Sequence, residues 1–318
     1  HPNKCFLYCV NETRAYRGTP GGSIQSFVID PKTGILNLLN QQPSQGADPC
    51  YISMDSRGCY IIAANYIGGN ITVFPIGYDG KIGQFTDFQQ HYGFSVNSNR
   101  QMSPHPHSVL FDPCDQYVLC ADLGIDQIVI YRFDSHHGKI LKDNIPPVQV
   151  KPGSGPRHLV YHPNKKWLYL INELSSTITA LVQTTDRESG TILSEIQTVS
   201  TVPEYWTGVN ISADIHVHPS GKYVYGSNRG HDSIASFEID TETGFLRLLE
   251  ITHTLGRTPR NFVIDDTGKW LIVANQDSDD IVLFSIDPFS GKLVFTGEII
   301  KVPTPVCLKM IRPCVSNS

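Results

Sequence analysis

The chain has 318 residues, 40% hydrophobic and 17% charged, which supplies a large apolar core and excludes a disordered polymer. Its net charge of -5 gives no electrostatic footprint for nucleic acid, and no apolar run reaches membrane-spanning length, so neither partner is expected. The eight cysteines include no C-x-x-C pair, which argues against a structural zinc site.

The first predicted element is the apolar strand within HPNKCFLYCVNE, from His1. The same phrase returns as DSRGCYIIAANY from Asp55, DPCDQYVLCADL from Asp112, HPNKKWLYLINE from His162, HPSGKYVYGSNR from His218 and DDTGKWLIVANQ from Asp265. Each copy is a Pro- or Asp-led turn, a strand, and an Asn or Asp followed by a variable side chain. A spacing of about 47 to 57 residues is that of stacked supersecondary units.

A second strand and a hairpin follow each phrase, as in SIQSFVIDPKTGILNLL and SIASFEIDTETGFLRLL, with D-x-x-x-G turns between β-branched and aromatic runs. Another strand precedes five of the phrases, ending in YISMD, SVLFD, HLVYH, DIHVH or NFVID. Long amphipathic helical windows are absent. Four antiparallel strands per repeat predict an all-β chain, a β-propeller of four-stranded antiparallel blades, as one domain over 1–318.

Closure has two readings. The opening repeat lacks a first strand, and the tail TPVCLKMI at 304–311 supplies one of the missing type, which would close six blades. Alternatively, a further N-terminal repeat belongs to a larger propeller. Cys5, Cys9, Cys59, Cys120 and Cys307 fall in predicted strands as small buried hydrophobes. Asn11, Asn70 and Asn210 head N-x-S/T triplets, a pattern common by chance, and the expectation is a reduced, cytoplasmic chain.

Function is expected where strand ends gather at one face. The innermost strands begin Asp48-Pro49-Cys50, His105-Pro106-His107, Pro156-Arg157-His158, Asp214-Ile215-His216, Pro259-Arg260-Asn261 and Pro305-Val306-Cys307. The anchor strands end at Asn11-Glu12, Asn65-Tyr66, Asp122-Leu123, Asn172-Glu173, Asn228-Arg229 and Asn275-Gln276. The repeated Asn or Asp reads as structural, tying the strand end through side-chain bonds. His162 and His218 read as turn residues, and His91, His136 and His253 as surface histidines.

The variable positions are different. His107, Arg157, Glu173 and Arg229 interrupt the repeat with ionisable groups, and His158, Asp214, His216 and Arg260 stand beside them. Buried arginines need partners, and an anionic ligand would provide one, since guanidinium binds carboxylate or phosphate in a planar fork. A structural ion-pair network is the competing reading. No metal triad and no nucleophilic serine elbow is visible.

The segments GADPCYISMD, PHPHSVLFDP with ADLGIDQI, GSGPRHLVYHPNKKWLYLINELSSTI, DIHVHPSGKYVYGSNRGHDSI and RTPRNFVIDDTGKWLIVANQDSD resemble the lactonase-type seven-bladed propellers, over nearly the whole chain. That family includes 6-phosphogluconolactonases and carboxy-muconate cyclases. The resemblance implies a catalytic pocket at His107, Arg157, Glu173 and Arg229, and His158, Asp214, His216 and Arg260, from the ring of variable positions, are expected to bind substrate. It also implies a small anionic lactone or carboxylate as partner and no cofactor.

Three functions follow as expectations. The first is metal-independent hydrolysis of a sugar lactone, 6-phosphogluconolactone by resemblance, with the arginines holding the anion and Glu173 or His107 activating water. The second is the reverse chemistry, lactone closure on a carboxy-muconate. The third is a noncatalytic scaffold, whose mark would be exposed aromatics at Tyr92, Phe94, Tyr205 and Trp206. The long loops 89–103 and 202–212 are either lids or plain surface insertions.

Overall fold

A computed structural model describes residues 1–142, 145–186 and 190–311. Period-two alternation produces antiparallel strands throughout, and the 3-10 turn Gln276–Ser278 is the one helical element among the described residues. Two compact units divide the chain, His1–Gly153 and Ser154–Met310.

Among its described residues the first unit holds three larger sheets in simple up-and-down order, besides the two-stranded hairpin Ala15–Tyr16 with Thr19–Pro20. The opening one pairs Phe6–Asn11, Ser23–Ile29 and Leu36–Pro43. The next is Pro49–Met54, Tyr60–Asn65, Asn70–Pro75 and Asp87–Gln90. The third is Pro106–Phe111, Tyr117–Asp122, Gln127–Asp134 and Lys139–Leu141, with Val148–Gln149 added beside Gln127–Asp134.

The second unit repeats the pattern with four strands in each of three sheets. They are Pro156–Tyr161, Trp167–Asn172, Thr177–Asp186 and Gly190–Ser200; then Ile211–Val217, Tyr223–Arg229, Ser233–Ile239 and Leu246–His253; then Pro259–Ile264, Trp270–Asn275, Asp280–Ile286 and Leu293–Lys301.

Burial explains the order. The anchor strand Tyr223–Arg229 is buried along its whole length, because its two faces meet the sheets on either side. Trp167, Tyr169, Ile178, Val224 and Phe237 interlock one sheet with the next, and Tyr225, Phe262, Val273 and Phe284 do the same one sheet on. Truncating a fully buried aromatic here, such as Phe237→Ala, costs about 3–5 kcal/mol.

The repeated Asn and Asp are structural, as their regularity suggests. Asn228 donates to the Thr201 carbonyl at 2.7 Å and accepts from Thr201 Oγ1 and Ser212 Oγ. Asn65 reaches the Ser44 carbonyl and Asn70, while Asn172 reaches Thr177 and Thr179. His162 and His218 do hold their turns, each Nδ1 accepting a backbone N–H two residues on. Their Nε2 atoms also donate to the carbonyls of Gly221 and Gly268 in the next sheet, both at 2.8 Å.

Three expectations need correction. No strand forms over 302–310: Pro303 and Pro305 have no N–H for a ladder and Thr304 sits at φ 45°. Cys5, Cys59 and Cys307 lie outside strands, the last two exposed, whereas Cys9 and Cys120 lie within them and only Cys120 is fully buried. His91 is buried rather than on the surface, with Nδ1 2.7 Å from Asp122 Oδ2 and Nε2 2.8 Å from the Tyr131 hydroxyl.

Candidate functional site

A β-bulge opens the first strand of five sheets. The register slips between Pro49 and Tyr51, Pro106 and Ser108, Pro156 and His158, Ser212 and Ile215, and Pro259 and Asn261. A bulge leaves one residue outside the ladder and re-aims its side chain. The residues so displaced are Cys50, His107, Arg157, Ala213 with Asp214, and Arg260. Proline begins four of these strands because it has no N–H to give the ladder.

In front of the proline the chain turns left-handed, at Gly155 with φ 65° and Thr258 with φ 59°. The Gly155 carbonyl thereby accepts the Glu173 N–H at 2.6 Å, which ties the strand end bearing Glu173 to the bulge bearing Arg157. Only glycine fits, since a Cβ there would stand 2.5 Å from Leu174 Cγ.

Arg157, Glu173 and Arg229 form a buried cluster in the second unit. Arg157 is 2% exposed, Glu173 2% and Arg229 9%. Glu173 Oε2 lies 2.9 Å from Arg157 Nε and 2.9 Å from Arg229 Nη2, so two guanidinium groups converge on one carboxylate oxygen. Arg157 Nη1 donates to the Ala213 carbonyl and Arg229 Nη2 to the Ser212 carbonyl, the latter at 3.1 Å. Arg229 Nε is buried and has no hydrogen-bond partner among the described residues. Burial, Arg157 and Arg260 bring the Arg229 pKa down to about 10, against the pull of Glu173, so it stays cationic at neutral pH.

Beside the cluster runs a second polar chain. Asp214, 4% exposed, accepts from His158 Nδ1 at 2.8 Å, His216 Nε2 at 3.0 Å and Asn261 Nδ2 at 2.5 Å. Asn261 Oδ1 in turn accepts the Leu308 N–H at 2.6 Å. Burial alone would raise the Asp214 carboxyl, but the charge of His216 and the bonds from both histidines hold it well below the carboxylate range. Burial and the Arg157 guanidinium push His158 down to about 4, leaving it neutral near pH 7.

Comparison with known proteins gives this arrangement its setting. The family model described as Lactonase, 7-bladed beta-propeller matches residues 1–310. The chain belongs to that family. A 6-phosphogluconolactonase of Bacillus subtilis is 36% identical over 314 residues, covering 98% of this chain and 85% of that one. The periplasmic gluconolactonase of Pseudomonas aeruginosa superposes with a TM-score of 0.91 at 30% identity, covering 98% of this chain and 87% of that one. A Bacteroides fragilis protein does so at 0.88 and 39%, covering 97% and 84%. The fold is therefore a β-propeller, and the sheets described above are its blades.

Among the candidate residues, this lactonase-family chain brings Arg157, Glu173 and Arg229 into direct contact and joins His158, Asp214 and His216 in a second group linked to the first through Arg157. Arg260 lies close enough to lower the Arg229 pKa. His107 belongs to the first unit, where Nδ1 is 3.7 Å from Cys50 Sγ and the ring meets Tyr66 edge-on at 5.3 Å.

The loop before Ile211–Val217 contributes to the cluster rather than merely covering surface. It leads into Ser212 of that strand, whose carbonyl holds Arg229, and Trp206 within it packs edge-on against His231, centroids 4.7 Å apart. Tyr92, Phe94 and Tyr205 are exposed as anticipated, whereas Trp206 is half-buried. A recess of 620 Å³ lined by Lys222, Glu238, Arg247 and Phe289 contains none of the candidate residues. The bulges and Asn261 were missed in the sequence; the recurring X-Pro step was the signal that could have found the former.

Proposed function

We propose that this lactonase-family protein opens a sugar lactone by hydrolysis, taking 6-phosphogluconolactone to 6-phosphogluconate. The observation that carries the reading is the Arg157–Glu173–Arg229 cluster, in which two buried guanidinium groups share one carboxylate and Arg229 keeps an unused Nε–H. Surplus buried cation with a spare donor favours an anion. The similarity to a 6-phosphogluconolactonase and a gluconolactonase supports a lactone as that anion's owner.

In this mechanism Arg229 and Arg157 hold the substrate's anionic group and stabilise negative charge on the carbonyl oxygen as water adds to the lactone carbon. Glu173 takes the proton from the attacking water. The ring C–O bond then breaks as Glu173 passes that proton to the ring oxygen, and the product acid leaves as its carboxylate with its own proton released to solvent. Alignment of Arg157 and Glu173 by the bulge and the Gly155 carbonyl lowers the entropic part of the barrier.

The proposal places the protein in the cytoplasm. Among the described residues Cys59, Cys114, Cys120 and Cys307 are free thiols, which suits a reducing compartment. The Asn70 side chain is buried against the Gly68 carbonyl, which blocks a glycan there. The test is lactone opening by chelator-treated protein, followed by coupled oxidation of 6-phosphogluconate. A rate above spontaneous hydrolysis supports the proposal; a rate equal to the buffer blank rejects it.

A further inference from the structure

Where one blade hands over to the next, Ser44, His91, Thr201 and Thr254 follow the outermost strands Leu36–Pro43, Asp87–Gln90, Gly190–Ser200 and Leu246–His253. Each meets the Asn or Asp that ends the next anchor strand. At three of them the contact is the same: the side-chain amide of Asn65, Asn228 or Asn275 donates to the main-chain carbonyl of Ser44, Thr201 or Thr254, at 3.1, 2.7 and 3.3 Å. The fourth is built differently. A carboxylate can only accept, so the bond runs the other way, from His91 Nδ1–H to Asp122 Oδ2 at 2.7 Å. The second ring nitrogen of His91 is 2.8 Å from the Tyr131 hydroxyl, and all three side chains are buried.

This handover also carries the long connection 91–105, and Asp122 holds both of its ends. Oδ2 takes the His91 ring at the start, and Oδ1 takes the His105 N–H at 2.6 Å at the finish, where the Leu123 N–H also bonds the His105 carbonyl at 3.0 Å. Between them Gln101 is fully buried, with Nε2 donating to the Leu123 carbonyl at 2.8 Å, its N–H to the Asn97 carbonyl at 2.7 Å, and its carbonyl accepting the Ser95 N–H at 2.8 Å. The chain lies so close to the strand end that a Cβ on Gly124 would stand 1.9 Å from the Ser103 carbonyl oxygen. All of these contacts are made within the first unit.

We propose that the loop 91–105 is a fixed rim rather than a lid, and that His91 and Asp122 form the clasp that fixes it and sets the entry to the bulge bearing His107. The assignment does not depend on the lactonase reading.

Asp122 is suited to that part. Three donors converge on it, the His91 ring and the N–H groups of His105 and Gly124, the last at 3.0 Å. An amide in its place would turn an NH₂ toward the His91 Nδ1–H, which is the physical reason for Asp where the other handovers carry Asn. His105 is pinned at both its N–H and its carbonyl, and only Pro106, whose ring locks φ, stands between it and His107 in the bulge. A shift at the clasp is therefore passed to the His107 ring. Opening the loop would strand the buried carboxylate of Asp122 and the buried amide of Gln101, whereas moving loops are drawn from weakly held segments.

Amide hydrogen exchange on the full chain, with imidazole spectra alongside, tests this. In ligand-free wild type the Ser95, Gln101 and His105 amides should exchange about 100-fold or more slowly than in an unstructured peptide. Exchange at the unstructured rate is the behaviour of a lid and overturns the proposal. His91→Leu removes both ring bonds, whereas His91→Asn keeps a donor where Nδ1 stands. The Leu variant should lose about tenfold or more of that protection and shift the His107 imidazole resonances, with the amides of Ser154–Met310 and the His216 imidazole unchanged. The Asn variant should stay within about threefold of wild type. Full protection with an unmoved His107 in Leu, a loss in Asn as large as in Leu, or a loss spread equally over both units overturns the clasp. Should His91→Leu fail to fold, wild-type exchange and the Asn variant decide.

Discussion

Arg229 meets Glu173 at 2.9 Å through Nη2 while its Nε, buried in the same cluster, has no hydrogen-bond partner among the described residues. A guanidinium kept desolvated with one donor idle is poorly arranged for stability alone. It suits an anion that arrives and leaves. Arg229→Lys keeps the charge but removes the fork, and should lower kcat/KM by about 100-fold, in the range found for loss of one oxyanion donor, with little change in melting temperature. Steady-state kinetics with parallel thermal melts check this.

Glu173 holds two arginines at once, so its removal acts on stability as well as on rate. Glu173→Ala leaves two buried positive charges facing each other and should cost about 3–5 kcal/mol in denaturant unfolding. Glu173→Gln retains an oxygen acceptor and should cost less while still abolishing water activation. A Gln variant as active as wild type would remove Glu173 from the proton-transfer role.

Acid stability carries a signature of the His158–Asp214 pair. The His158 pKa is lowered from 6.5 to about 4, so between those values the unfolded chain binds a proton that the folded chain refuses. Stability from this group is full above about pH 6.5 and declines as pH falls toward 4, by about 3 kcal/mol in all. Asp214, depressed in the fold, adds stability that is present above its ordinary pKa of 3.8 and is lost as pH falls through the lower folded value. Denaturant unfolding from pH 7 to pH 4.5 should show a smaller loss in His158→Gln than in wild type.

Gly155 links backbone conformation to the site. An alanine there would be held at φ 65° with its Cβ 2.5 Å from Leu174, costing about 1–2 kcal/mol for the left-handed conformation before any clash. Since the Gly155 carbonyl accepts the Glu173 N–H, Gly155→Ala should also reduce activity, and by more than an equally destabilising substitution in the core. Comparing it with Ile239→Val in unfolding and rate assays separates the two effects.

The blade strands were legible because a period-two apolar pattern bounded by turn residues leaves few alternatives, and the repeat gave several copies of the same evidence. The role of Asn65, Asn172 and Asn228 was readable for the same reason: a position held to Asn or Asp while its neighbour varies freely is serving the frame. Arg157, Glu173 and Arg229 stood out as departures from that frame. What the sequence hid is geometry set by tertiary contacts. His91 sits in a loop with no pattern to mark it, and only the fold brings Asp122 and Tyr131 to its ring. The bulges depend on ladder register, and the tail's apolar letters suggested a strand that two prolines and a left-handed threonine prevent. The joint use of Asp214 by His158, His216 and Asn261 needs three strands side by side, which no single repeat encodes.

The most direct test of the anion-binding cluster as a lactone-opening site is the rate of 6-phosphogluconolactone hydrolysis by wild type and Arg157→Ala, measured together against the spontaneous reaction. Wild type should exceed the background severalfold or more, and the alanine variant, still folded by circular dichroism, should fall to it. Equal rates for the two proteins would contradict the account.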